Sequence, residues 1–246
     1  MICGPHRPAD VLGVADRALY LRTDTDVLAL VTADAVRLPC AAVLPSTADL
    51  LPLRYLVPDD GVRVGHNRLT WRAHGAPVDV EVVREWAPAR VCRIRPRRDR
   101  IAELRTALAD IDAGVPVPTT RVRATDVARL LGRGPGLTPS GDDLLAGYLL
   151  GCRAFAAFRG DVGAVAAVVA ASAEGATTAL SAALLRHALA GRCVPEVADV
   201  VHGLAAPNPV TPALDRLLRV GHTSGAALAH GLSLAAAVPA RPRTAA

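Results

Sequence analysis

The sequence predicts an α+β protein, with an N-terminal antiparallel β-rich domain (a sheet or small barrel) followed by an Ala-rich helical bundle. Two observations predict it. Before residue 90 the apolar segments are short and separated by Asp, Thr or Pro, as strands with local connections are. From Ile101 onward apolar residues recur at helical spacing, and Gly or Pro marks the breaks. A run holding six arginines, RVCRIRPRRDR at 90–100, separates the two regimes and sets the expected domains at 1–98 and 99–246.

The strands are expected at 18–23, 26–32 and 35–44. Residues 61–75 read as a hairpin turning at Gly65-His66-Asn67, and 78–86 alternates apolar and polar residues as a half-buried strand does. Helices are expected at 101–113, 122–132, 140–158, 161–173, 175–190, 194–205, 210–219 and 224–237, punctuated by Gly160, Gly191, Gly221, Pro195, Pro209 and Pro212. The segments 145–190 and 224–237 are rich in Ala and Gly, so their helices are expected to pack at short distance in the centre of the bundle.

Composition excludes several chemistries. The 246 residues include 48 alanines but only two Phe, three Tyr and two Trp. All 28 basic residues are arginine, so there is no P-loop lysine, no Schiff-base lysine for pyridoxal phosphate and no kinase-type Lys–Glu pair. The net charge of +5 permits anionic partners without requiring them. Cysteines at 3, 40, 92, 152 and 193 are odd in number and none is spaced C-x-x-C, which argues against a disulfide framework or a zinc ribbon. His66 and His74 lie on the hairpin, and no His/acid spacing makes a zinc site. The start MICGPHRPADV lacks a signal-peptide pattern, and the apolar run 162–173 is too short to span a bilayer, so a soluble cytoplasmic protein is expected. No aromatic residue stands between the arginines of 90–100 to stack bases; that run reads as a solvated strand end and linker, with a nucleic-acid surface ranked last.

The most informative stretch is Gly132-Arg-Gly-Pro-Gly-Leu-Thr-Pro-Ser-Gly-Asp-Asp-Leu-Leu-Ala-Gly147, inside the Gly-rich segment 130–147. A glycine-rich loop enters a helix start, where backbone N–H groups and the helix dipole favour an anion. Gly134, Gly136, Thr138, Ser140 and Gly141 are the candidate cradle, and its spacing fits neither a dinucleotide fingerprint nor a Walker A loop. Capping explains part of the motif: Ser140 and Asp143 fit a capping box, or Thr138 caps with Pro139 as the first helical residue. An anion here would meet Asp142 and Asp143 as like charges, at a cost of about 4 kcal/mol each at contact. Three arrangements relieve this. A divalent cation such as Mg²⁺ bridges the carboxylates and the anion, or the carboxylates turn away, or no anion binds and the acids hold a cation or a proton.

The motif has an echo. Ser140-Gly-Asp-Asp-Leu-Leu-Ala-Gly147 aligns without gaps on Ser224-Gly-Ala-Ala-Leu-Ala-His-Gly231, within 221–231. Two helix starts of one build would face a ligand from two sides, with Thr223, Ser224 and Gly225 as donors and His222 as an acid–base group. A third hydroxyl cluster, Thr177, Thr178 and Ser181, opens the helix that ends near Gly191. Arg133 and Arg186 are the arginines best placed to clamp a carboxylate or phosphate.

GRGPGLTPSGDDLLAGYLLG, then ATTALSAALLRHALAG, then GHTSGAALAHG, resemble the bacterial family that includes the AllH-type subunit of oxamate carbamoyltransferase, an enzyme of anaerobic allantoin and purine breakdown. The resemblance implies a transferase subunit that works with two other proteins, one of them related to acyl-CoA synthetases. It implies interconversion of oxalurate and phosphate with oxamate and carbamoyl phosphate. In that family an acidic residue often follows the second Ser-Gly, whereas this chain has Ala226 and Ala227. Loop 134–141 would then cradle phosphate, Asp142 or Asp143 would hold a metal or a proton, Ser224 and the Gly225 backbone would face the oxyanion, and His222 would carry the proton. The alternative is a non-catalytic docking or scaffold subunit that presents its Ala-rich helical face to a partner.

Overall fold

The computed structural model describes residues 2–24, 26–155 and 161–238. The chain divides into two compact units, Met1–Pro88 and Ala89–Ala246, so the α+β reading holds.

The first unit is a seven-stranded sheet: β1 (Arg7–Ala15), β2 (Ala18–Arg22), β3 (Val27–Val31), β4 (Ala41–Val43), β5 (Val62–Gly65), β6 (Arg68–Ala73) and β7 (Ala76–Glu81), in the order β4-β3-β2-β1-β5-β6-β7. Every pairing is antiparallel except β3 with β4, which is parallel. The expected strand at 35–44 shrinks to three residues because Pro39 has no N–H to give a ladder. Strand β1 escapes the periodicity test. A register shift between Val11 and Gly13 breaks its alternation, and β1 pairs with β5 through Arg7–Ala9 and with β2 from Asp10 on. The hairpin turn falls as expected, with His66 at φ 49° and Asn67 at φ 61°, the positive values a type I′ turn needs. Leu19, Leu21, Leu30, Leu53, Leu69 and Trp71 fill the core, and the Trp71 indole N–H donates to the Leu56 carbonyl at 2.8 Å.

The second unit holds α1 (Arg98–Leu108), α2 (Ala124–Leu130), α3 (Ser140–Ala154), α4 (Asp161–Ala176), α5 (Ala179–Leu189), α6 (Pro195–Gly203), α7 (Thr211–Leu218) and α8 (Ser224–Ala235). Each expected helix is present with its ends moved by a few residues; the expected extension to 158 and the break at Gly160 fall partly outside the described residues. The arginine run is not a free linker. Its backbone straps the helical unit: Val91 N–H donates to Gly191 O, Ile94 N–H to Ala154 O and Arg97 N–H to Leu204 O, and Arg90 bridges Arg192. Among the described residues no helix is long and apolar enough to cross a membrane.

Helices α3 and α8 form the centre, running side by side from their starts. A Cβ built on Gly147 would lie 2.1 Å from Leu228 O, and one on Gly231 2.2 Å from Leu144 O. Further along, a Cβ on Gly151 would meet Ala235 Cβ at 2.5 Å. Glycine at these positions is what lets backbone pack on backbone. The contacts are reciprocal, since Leu144 and Leu228, and Gly147 and Gly231, are equivalent positions of the two motifs. A local twofold relates them.

Candidate functional site

The two Ser-Gly helix starts meet. Thr138 Oγ1 lies 3.2 Å from Ser224 Oγ, and Ser140 Oγ lies 2.8 Å from Thr223 Oγ1. Gly114 lies against this pair at φ +69°, where an added Cβ would be 2.7 Å from Ser140 Oγ. That loop is held by the Gly114 N–H on Asp112 Oδ1 (2.9 Å) and by His230 Nε2, 2.8 Å from Ile111 O. Sequence reasoning did not single out Gly114, Asp112 or His230; the only signal was an isolated Asp-Ala-Gly turn.

The capping expectations for α3 are corrected. Pro139 is the N-cap with no side-chain cap, so Ser140 is already inside the helix and Thr138 precedes it. A side chain inside the first turn is released from capping and reaches across to α8. At α5 Thr178 does cap, accepting from Ser181 N–H at 3.1 Å.

The two adjacent acids have different surroundings. Asp142 is 1% exposed and both oxygens of its carboxylate are hydrogen-bonded. It accepts from Gly132 N–H at 2.7 Å, from Ser181 Oγ at 2.7 Å and from the Thr177 hydroxyl. The Thr178 hydroxyl donates to Leu137 O at 2.5 Å. The third hydroxyl cluster is therefore spent on shaping the glycine loop. Gly132 must be glycine for two reasons: φ is +71°, and a Cβ would lie 2.3 Å from Ala176 O. Asp143 is 7% exposed and its Oδ2 has no hydrogen-bond partner among the described residues. Burial pushes its pKa up to about 7; the Ser224 hydroxyl pulls the other way, and the Asp142 charge adds to the rise.

This geometry bears on three expected roles. The Gly141 N–H donates to Arg133 O (2.8 Å) and the Gly225 N–H to Val220 O (2.9 Å), so neither is free for a phosphate or an oxyanion. The Mg²⁺ bridge through Asp142 and Asp143 does not suit the residues present. Asp142 already accepts three hydrogen bonds, and no group of three His, Cys, Asp or Glu among the described residues is arranged to hold a metal. His222 stands exposed in the turn before α8, with no hydrogen-bond partner among the described residues. Gly134 packs closely on the helix start, where a Cβ would lie 2.8 Å from Ser140 N; Gly136, at φ +83°, is open to solvent.

A groove of about 700 Å³ runs beside the loop, lined by Val115 to Pro118, Asp126, Arg129, Gly132 and Arg133 among others. The Arg129 and Arg133 guanidiniums have no ion pair among the described residues. Arg186 instead pairs with Glu174 at 2.9 Å, away from the groove lining. The groove touches the site through Gly132, whose N–H Asp142 holds, and through Val115 next to Gly114.

The paired Ser-Gly helix starts, the buried Asp143 carboxyl and a groove lined in part by Arg129 and Arg133 lie within one helical unit. Residues 130–236, which carry both motifs, match the model of a family described as oxamate carbamoyltransferase subunit AllH. The match begins at the end of α2 and leaves the β-rich unit outside it. No solved structure matches the chain.

Proposed function

We propose that this chain is a subunit of a carbamoyltransferase-type assembly, and that it acts on its small anionic substrate where α3 and α8 begin. The reaction is the interconversion of an oxalurate-like N-carbamoyl compound plus phosphate with an oxamate-like amide plus carbamoyl phosphate. The observation that carries this reading is Asp143, a buried carboxyl with one unpartnered oxygen and a pKa of about 7, beside the Ser224 hydroxyl.

When phosphate attacks the carbamoyl carbon, the departing amide nitrogen needs a proton. A carboxyl that is half protonated near neutral pH can give that proton and, in the reverse direction, take it back. Thr138 and Ser224 supply hydroxyl donors beside it for the developing oxyanion, in place of the occupied backbone N–H groups. Arg129 and Arg133 attract the carboxylate or phosphate of the substrates into the groove. Asp142 acts here as a positioning residue, tying Gly132 and the start of α5 to the first turn of α3. This reading combines two of the expected arrangements: an anion binds, and the charge conflict is eased because Asp143 holds a proton.

The docking alternative relied on an exposed Ala-rich helical face. The apolar residues of α3 and α8 are buried, many of them in the seam between the two helices, whereas α4 leaves Ala164, Ala167, Ala170 and Ala171 exposed, so a docking role would rest on α4. The test is Asp143→Asn in the assembly reconstituted with its partner subunits, reading carbamoyl phosphate formed from oxalurate and phosphate. Turnover is expected to fall by about 100-fold or more with the assembly intact. Undiminished turnover would remove the assignment.

A further inference from the structure

The carbamoyl-transfer reading leaves one pair of reactive side chains unused. Cys92 lies on the arginine strap, and its Sγ is 3.1 Å from Nε2 of His202 in the last turn of α6. Both residues are exposed. The strap holds Cys92 in place from both sides, through Val91 N–H on Gly191 O and Ile94 N–H on Ala154 O. The pair is thus built from two elements fixed in one unit, not from a tail that happens to pass.

The other four cysteines lack this arrangement. Cys40, Cys152 and Cys193 are buried, and burial pushes the thiols of Cys152 and Cys193 up to about 12. Cys3 is exposed, but its Sγ faces a carboxylate, Glu85 Oε1, at 3.6 Å. A neighbouring anion disfavours a thiolate, whereas an imidazole nitrogen can accept the thiol proton. Arg93 and Arg95, exposed on either side of Ile94, carry no ion pair among the described residues and add positive charge to the strap that carries Cys92.

We propose that Cys92 and His202 form a reactive thiol site that exchanges with anionic low-molecular-weight disulfides. In the tautomer protonated on Nδ1, His202 Nε2 takes the Cys92 proton. The thiolate attacks one sulfur of the disulfide, a Cys92–S–S–R bond forms, and the original S–S bond breaks. The departing thiolate takes the proton from His202. The disulfide is the oxidant, so the step needs no other electron acceptor.

The test exposes the folded full-length chain to oxidised glutathione and follows each cysteine by peptide mass spectrometry. Cys92 is expected to be modified first, about tenfold or more faster than Cys3. His202→Ala is expected to slow Cys92 by about tenfold while leaving Cys3 unchanged. Continued silence of Cys152 and Cys193 verifies that the variant remains folded. Arg93→Ala with Arg95→Ala is expected to slow the reaction with oxidised glutathione more than with the neutral hydroxyethyl disulfide. Equal rates at Cys92 and Cys3 in the parent protein, or an unchanged Cys92 rate in His202→Ala, would overturn the proposal. This readout is independent of carbamoyl transfer.

Discussion

Asp143 carries a proton near neutral pH because its carboxyl is buried without a full set of donors, next to the charge of Asp142. In the unfolded chain the same group ionises near pH 4. Between about pH 4 and pH 7 the folded chain therefore holds a proton that the unfolded chain has lost. Stability falls as pH rises through that window, and the full cost is present above it. Asp143→Asn removes this dependence. Relative to the parent, the variant is expected to gain about 2–3 kcal/mol between pH 5 and pH 8, read by denaturant titration at the two pH values. Asp142 makes the opposite prediction. Its three donors would face an amide after Asp142→Asn, and an expected loss of about 1–3 kcal/mol should appear as a melting point several degrees lower. Neither outcome could be foreseen from the sequence, where the two acids are equivalent neighbours. Their difference lies in the partners supplied from Gly132, Thr177 and Ser181, 10 to 39 positions away.

At the scale of elements, the helices were legible because glycine, proline and apolar spacing mark them directly. The repeated S-G-x-x-L-x-x-G was legible as well, and its two copies do come together. Strand β1 was not, since its bulge breaks the period on which strand recognition depends. The close seam was legible too, in the Ala- and Gly-rich segments 145–190 and 224–237, but not that Gly147 and Gly231 each meet a main-chain carbonyl of the other helix. This gives a sharp expectation. Gly147→Ala and Gly231→Ala place a Cβ about 2 Å from a main-chain carbonyl and are expected to cost about 3 kcal/mol or more each, read by thermal melting. Gly163→Ala in α4 has nothing within 4 Å of the new Cβ and is expected to stabilise by about 0.5–1 kcal/mol. Equal effects in the two helices would argue against a backbone-to-backbone seam.

For the molecule as a whole, the sequence placed the change of architecture at the end of the arginine run, because charge density looks like a linker. Backbone pairing is invisible to composition. Yet the strap donates or accepts at Ala89, Val91, Ile94 and Arg97 within the helical unit. A fragment starting at Ala89 is expected to melt higher than one starting at Asp99, which lacks all of these hydrogen bonds, and the two melting curves test it directly. The local twofold has a last consequence. A perfectly repeated frame would offer a guest two identical walls, and the guest could sit either way round. Here one wall carries Asp142 and Asp143 and the other carries the methyl groups of Ala226 and Ala227. The repeat supplies a rigid frame, and the unlike pairs at equivalent positions give it direction: whatever lodges between the helix starts has a head and a tail.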